Sequence, residues 1–517
     1  MNYNRKILIL ASSLMIATLV GCGETNQSVA PSNDSAPVES TPTESTPAES
    51  TPATVDVSKR IFHVPSSGFD TSKEVNIVFY HTMNKNLQQV LEAYIDDFNK
   101  LYPNIVVEHH AIGGYDDVKD QNTQAISSGK NDCDLAYCYP DHIASYNKAN
   151  SVYALNELID SNVEIQVPKF DPDTEEVERD GSGNVVYQTE TIGFTQAQKD
   201  DFIEAYWEEG YSIGDGNMYA LPLTKSSEVM YYNKTFFETN NLQVPSTWNE
   251  MFKVCEDIKK IDPASIPLGY DSSSNMFITL CEQYKTGYTS ADANNHFIFD
   301  NATNKEIVEG FKSMYSLGYL TTKGLYGTYT SGLFTETGAT AQKSYMSIGS
   351  SAGATNQMPP KDTITGSAPF EVGIARIPQV DAEDGKVISQ GPDICLFNNG
   401  DDQKALASWL FAKFLTTNVN FQAQFSMTSG YTPVIKSVND NEVYARWLTS
   451  ANGYENLAAL STKTCVEQAS WYFTSPAFVG SSEARVEVGE LIDAALSGTK
   501  SVEKAFADAL EACKRVK

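Results

Sequence analysis

The first globular stretch of the chain alternates between two hydrophobic periods. Residues 75–80 (VNIVFY) form an apolar run of strand type. Leu87, Val90, Leu91, Tyr94, Ile95, Phe98 and Leu101 then recur at helical spacing, and Tyr102-Pro103 stops that helix. A second strand is predicted at 105–107, a polar helix over about 115–127, and a third strand at 133–138. Strand and helix in alternation imply a parallel sheet covered by helices. Ligands of such sheets bind beyond the carboxyl ends of the strands. His81 and Thr82 after the first strand, and Tyr139 and Asp141 after the third, are therefore candidates by position.

Residues 160–209 are strongly acidic and contain the turn Asp180-Gly181-Ser182-Gly183-Asn184. They read as a surface insertion carrying a hairpin, with its charge on a solvated face. The pattern changes again over 218–249. An apolar run at 219–223 gives way to a polar crossing at 224–227 and a β-type run at 229–232. Pro245-Ser246-Thr247-Trp248 then opens a helix, with Thr247 as its N-cap. A chain that leaves one α/β lobe, crosses a gap and founds a second would look like this. Lys225 and Glu228 at the crossing either orient a ligand or are simply solvated.

The N-terminus follows a different logic. Arg5 and Lys6 precede an apolar core at 7–19 that is too short for an ordinary transmembrane helix, and Leu19-Val20-Gly21-Cys22 closes it. From Gly23 to about Lys59 the chain is rich in Ser, Thr, Pro and Glu, with Glu-Ser-Thr-Pro starting at Glu39, Glu44 and Glu49. Such a segment cannot bury a core, and its prolines keep it extended. It reads as a tether.

Charge narrows the partners. The 517 residues carry a formal net charge of −29, which repels nucleic acid and anionic membrane surfaces. The eight cysteines include no CxxC pair. Cys133 and Cys138 flank one strand and are too far apart to bond, so the seven beyond Cys22 are expected to be mostly free, buried thiols.

Several motifs suggest chemistry. Gly349-Ser350-Ser351-Ala352-Gly353 fits the nucleophile elbow of α/β-hydrolases, but that fold needs a later histidine. The histidines stand at 63, 81, 109, 110, 142 and 296, all before Ser351. The loop reads either as a helix start whose free N–H groups meet a polar ligand, or as a plain turn. His109 and His110 on one strand point to opposite faces and cannot share a metal. No HExxH, complete EF-hand, P-loop or GxGxxG is present, so no metal or cofactor is expected. Trp471-Tyr472-Phe473 precedes a loop and is either an aromatic platform for a sugar or a helix-end core cluster. Trp409 reads as core and Trp248 as structural. Asn275 and Phe277 follow the turn at 271–274 and are candidates to face a cleft.

Taken in order, the signal-like segment with its terminal Cys22, FYHTM (79–83), KLYPNIVVE (100–108), SSGKNDCDLAYCYPDH (127–142), YALPLTKSSEVMYYNKTFFE (219–238), VPSTWNEM (244–251), YMSIGSSAGA (345–354), GPDICLF (391–397), SGYTPV (429–434) and SPAFVGSSEAR (475–485) resemble the extracellular solute-binding proteins of ABC importers. The particular likeness is to the maltose-binding-like carbohydrate-binding lipoproteins, and it spans about 74–517. The resemblance implies an α/β, type II periplasmic-binding-protein-like fold: two α/β lobes joined by hinge crossings, with a ligand cleft between them. It places crossings near 226–228, 391–393 and 431–434. Lobe one would be 74–226 plus 393–432, and lobe two 228–390 plus 434–517. Residues 1–21 would be a lipoprotein signal peptide, Cys22 the lipidated residue, and 22–73 the tether. Site positions implied are His81, Tyr139, Asp141, Ser226, Asn275, Ser350, Ser351, Asp393, Trp471 and Tyr472. The expected function is capture of a sugar or oligosaccharide by hinge closure and delivery to an ABC permease, by a monomer anchored outside the cytoplasmic membrane through lipid alone. A non-sugar solute, a cell-surface glycosidase and an adhesive lipoprotein are the alternatives.

Overall fold

The computed structural model describes residues 56–515, apart from 172, 173 and 175. The signal-like segment, Cys22 and the Glu-Ser-Thr-Pro repeats lie outside the described residues.

Each lobe is built on its own sheet. In the first, strand Val75–His81 pairs in parallel with Ile105–Ala111 on one side and Leu135–Cys138 on the other. Asp393–Leu396 returns antiparallel to Leu135–Cys138 and pairs with Leu221–Pro222 at the sheet's end. The crossover helix Lys85–Leu101 is capped by Asn84, whose side chain accepts from the Leu87 N–H. It buries the predicted face, Leu87 to Phe98, against the sheet and against the late helix Asp402–Thr417. Trp409 of that late helix is fully buried, and its indole N–H donates to the Ile192 carbonyl at 2.7 Å. The acidic insertion carries two antiparallel ribbons, Glu164–Pro168 with Tyr187–Thr191 and Phe170–Asp171 with Glu176–Val177. Its later part, with helices Gln196–Asp201 and Glu204–Trp207, packs on the first core, and Glu209 is buried rather than solvated.

The second lobe is organised around strand Ser226–Asn233. Met346–Ser350 lies antiparallel on one side, and Val372–Ala375 and Val387–Gln390 lie on the other. Leu268–Tyr270 and Leu320–Thr322 extend the sheet in parallel from Met346–Ser350. Thr247 caps helix Trp248–Ile261 through a reciprocal bond with Glu250, as the Pro-Ser-Thr-Trp pattern predicts.

The chain crosses between sheets at 223–225, just ahead of strand Ser226–Asn233, and at 391–392. Gly391 has φ +100, and a Cβ there would stand 2.4 Å from the Thr224 carbonyl oxygen, so only glycine suits the second crossing. The third crossing is not at 431–434. The Val434 N–H donates to Gln422 Oε1, its carbonyl accepts from the Ile203 N–H, and Val434, Ile435, Val438 and Tyr444 all bury in the first lobe's core. The switch falls after Leu448 and before Gly453, whose carbonyl accepts from the Val372 N–H of the second lobe. Pro433 punctuates the backbone, but apolar burial keeps the segment on the first lobe. The lower end of the tether also needs correction. Residues 57–73 are packed rather than extended: Phe62 and Phe69 enter the first core, and the buried Arg60 guanidinium donates to the Asn147 carbonyl and pairs with Asp215. The seven cysteines among the described residues are free and buried. No described helix is long and apolar enough to cross a membrane.

Candidate functional site

A cavity of about 300 Å³ lies between the lobes. Four helix starts converge on it, beyond the strand ends where ligands of α/β lobes bind. The first lobe contributes Tyr115 and Asp116 from the start of Tyr115–Ser127, and Pro140, Asp141 and His142 from the start of Pro140–Tyr146. Tyr139 stands just before the second of these helices. The second lobe contributes Ser274 from the start of Ser273–Tyr284, and Ser481, Ser482 and Arg485 from the start of Ser481–Leu496. The N–H groups of a first turn have no partner inside the helix and favour oxygen ligands. Tyr288, Thr289, residues 388–390 and the loop 474–477 complete the wall.

Aromatic faces and polar atoms are mixed in this lining. Tyr115 and Tyr139 meet at 5.0 Å between ring centroids, and the Tyr115 hydroxyl bonds that of Tyr431 at 3.0 Å. Burial pushes the hydroxyl pKa of both Tyr115 and Tyr139 above its ordinary value, keeping them neutral. His142 Nδ1, Tyr288 Oη, Thr289 Oγ1 and Gln390 Oε1 are buried at the cavity with no hydrogen-bond partner among the described residues. Burial also lowers the His142 pKa, so its ring is neutral and offers either a donor or an acceptor. At the rim the lobes touch directly. Lys119 Nζ donates to Ser482 Oγ at 3.2 Å, and the Ala477 N–H donates to the Ser212 carbonyl at 3.1 Å.

Behind the cavity is a buried charge cluster. Lys225 Nζ lies 2.5 Å from Asp393 Oδ1 and 3.1 Å from Glu209 Oε2, and all three are almost completely buried. Burial disfavours the Lys225 charge, but the two carboxylates outweigh it and raise its pKa. Glu209 also lines the cavity and accepts from Ser389 Oγ at 3.0 Å. One group thus joins first lobe, crossing strand and second lobe. Glu228 is buried as well, accepting from the Tyr270 hydroxyl at 2.6 Å and from Asn275 Nδ2 at 3.0 Å. Neither Lys225 nor Glu228 is solvated.

Of the ten positions singled out from the sequence, Tyr139 and Asp141 line the cavity. Asn275 stands one step behind it, accepting from Arg485 Nη2 through its Oδ1. Seven do not line it. His81 is fully buried beneath the first sheet's edge, its Nε2 bonded to His109 Nδ1 at 3.0 Å, and burial lowers its pKa to about 3. Asp393 is committed to Lys225. Ser351 is buried, its Oγ accepting from the Ser227 N–H and its carbonyl from Ser461 Oγ, so the serine-rich loop braces the crossing strand instead of facing a ligand. Ser350 Oγ meets Ser226 Oγ at 3.5 Å in the same layer. Trp471 stacks under the Arg376 guanidinium at 4.7 Å, and Tyr472 packs against Tyr206 of the first lobe and donates to the Cys465 carbonyl. Trp471, Tyr472 and Phe473 are half-buried and pack against the second core, where Tyr472 and Phe473 pair with strand Val387–Gln390 after the 3₁₀ turn at Ala469–Trp471. Tyr115, His142, Glu209, Tyr288, Gln390 and Arg485 were not singled out. Tyr115 opens a predicted helix after a predicted strand, as Tyr139 nearly does, and positional reasoning reaches it. Tyr288 and Gln390 carry no local signal.

Two sheet-based lobes, a pair of strand crossings and a polar cavity at converging helix starts define a binding-protein architecture. A family model described as bacterial extracellular solute-binding protein matches residues 93–451, and the chain belongs to that family. An uncharacterized ABC transporter extracellular-binding protein of Pyrococcus horikoshii is 32% identical over 85 residues, which is 16% of this chain and 17% of that one. The match therefore spans about a sixth of that relative's length. The sn-glycerol-3-phosphate-binding periplasmic protein UgpB of Shigella flexneri is 25% identical over 346 residues, 63% of this chain and 72% of its own. The crystal structure of a cyclic α-maltosyl-1,6-maltose binding protein from Arthrobacter globiformis has the same fold, with a TM-score of 0.61 at 17% identity over 86% of this chain and 99% of that one.

Proposed function

We propose that this protein captures a small carbohydrate in the interlobe cavity and delivers it to an ABC importer. The carrying observation is the lining: the first lobe's Tyr115 and Tyr139 beside four orphaned polar atoms drawn from both lobes. A sugar presents C–H faces to the first and hydroxyls to the second. The cavity has room for about ten waters at about 30 Å³ each, a fit to one or two sugar rings. The A. globiformis protein, by its name, binds an oligosaccharide of glucose.

One observation favours a second reading. Arg485 brings a guanidinium to the wall, and UgpB is named for a phosphate-bearing solute. Glycerol 3-phosphate would place its anion on Arg485 and the helix starts. Thermal-shift and small-angle scattering measurements across mono- and disaccharides, with glycerol 3-phosphate alongside, separate the two. Compaction and a raised Tm with a neutral sugar support the first reading, and the same response to glycerol 3-phosphate alone supports the second. No response to any solute overturns both.

The reading includes no covalent chemistry: Glu209 is engaged by Lys225 and Ser389, and the other lining carboxylates, Asp116 and Asp141, serve as hydrogen-bond acceptors for the solute. Turnover of a chromogenic glycoside would count against it. Lipidation of Cys22, with the following residues as a spacer, rests on the sequence pattern and places the binding domain outside the membrane. Mass spectrometry of the N-terminal peptide tests this.

A further inference from the structure

We propose that Glu228 is a positioning residue for Arg485: acting through Asn275, it holds the guanidinium at the cavity wall, and its ionisation sets the charge that the wall presents. The proposal rests on the reading of the cavity as the solute site.

Glu228 lies on the strand that founds the second lobe and is paired in register with Ser350. Its Oε2 accepts from the Tyr270 hydroxyl and its Oε1 from the Asn275 amide. Asn275 in turn accepts from Arg485 through Oδ1. A guanidinium only donates, so Asn275 must turn its oxygen toward Arg485. Its amide group must then point at Glu228, which must accept. The three side chains form a polarised chain running from the crossing strand to the cavity. Among the described residues no carboxylate lies within ion-pair distance of Arg485, so Glu228 is the anion tied to it by hydrogen bonds.

The groups facing Glu228 are Tyr270 from the strand beyond Met346–Ser350, Asp271 just after it, Asn275 and Arg485. Lys225 is engaged elsewhere, by Asp393 and Glu209. Burial raises the Glu228 pKa to about 7, opposed by the bonds from Tyr270 and Asn275 and by Arg485, and reinforced by Asp271. Ionised, Glu228 balances the guanidinium and leaves a wall suited to a neutral polyol. Protonated, it removes the one anion hydrogen-bonded to Arg485 through Asn275, so the wall that also carries Asp116 and Asp141 becomes less negative and admits an anion at Arg485 more readily. The same cavity would therefore select neutral solutes above neutral pH and tolerate anions below it.

The test needs no solute, so it can fail independently of the binding reading. In full-length protein labelled with ¹⁵N-arginine, the side-chain Nε–Hε signal of Arg485 is followed from about pH 5.5 to about pH 8.5, assigned as the peak lost in Arg485→Lys. We expect a step with its midpoint near 7, absent in Glu228→Gln. Asn275→Ala keeps the charge but cuts the chain, and should shrink the step by at least half. A flat Arg485 signal, a step that survives in Glu228→Gln, or a full step in Asn275→Ala each overturns the proposal.

Discussion

Lys225 is the residue on which the molecule depends most plainly. A lysine without solvent contact is tolerated only because two carboxylates meet it. Lys225→Met leaves Asp393 and Glu209 buried without their counter-charge. It should cost about 3–5 kcal/mol, read from chemical denaturation. Glu228 yields a prediction of opposite kind. Its folded pKa of about 7 lies above the usual carboxylate value of 4.5, so the folded state holds the proton more tightly than the unfolded chain. The stability this gives is complete below pH 4.5 and is lost as pH rises through 7. At about 1.4 kcal/mol per unit, roughly 3 kcal/mol is at stake. Glu228→Gln should remove this slope, so its stability relative to the parent rises between those two pH values. Tyr139 belongs to the cavity itself. Tyr139→Ala should weaken solute binding by about tenfold, one aromatic contact of roughly 1–1.5 kcal/mol, with little change in Tm.

At the scale of elements, the crossings decide how the lobes are joined. The Gly391 backbone is left-handed and lies against Thr224 and Lys225 of the other crossing. Gly391→Ala must strain that backbone and separate the two crossings, at a cost of about 1–3 kcal/mol. Differential scanning calorimetry should show a lowered Tm. The serine-rich loop after strand Met346–Ser350 shows why a motif cannot be read without its surroundings. Its 3₁₀ turn Ser351–Gln357 packs against the crossing strand, the buried Ser351 Oγ accepting from the Ser227 N–H and the half-buried Ser350 Oγ meeting Ser226 Oγ. Helix starts were the more dependable guide. The predicted helix beginning near Tyr115 does line the cavity, as do the starts at Pro140, Ser273 and Ser481, whereas the helix that Thr247 caps lies away from it.

At the scale of the whole molecule, the cavity exists only because two sheets face each other across short crossings. Direct bonds at the rim, Lys119 to Ser482 and Ala477 to Ser212, tie the lobes together. Lys119→Ala removes one of these with little effect on either core. It should leave the Tm within about 0.5 kcal/mol equivalent while increasing the radius of gyration of the unliganded protein in small-angle scattering. An unchanged radius would show that the rim bond does not influence lobe separation.

The sequence by itself determined the parallel strands of the first lobe and the first crossing, while the second crossing and the two-lobe class were read from the family resemblance. Local periodicity, capping and proline placement act over a few residues and survive in any context. It did not determine which polar residues face the cavity. Tyr139 and Asp141 were legible because a strand's end has a known place in an α/β lobe, and Asn275 was close for the same reason. Tyr288, Gln390 and Arg485 were not legible, since they meet across separations of about a hundred residues or more through packing that no local pattern records. The third crossing was misplaced on similar grounds: Pro433 marks a bend, but whether Val434 to Tyr444 join the first core or the second depends on which apolar surface remains to be covered. Only the tertiary structure decides that, because burial is a property of the assembled lobes and not of the segment.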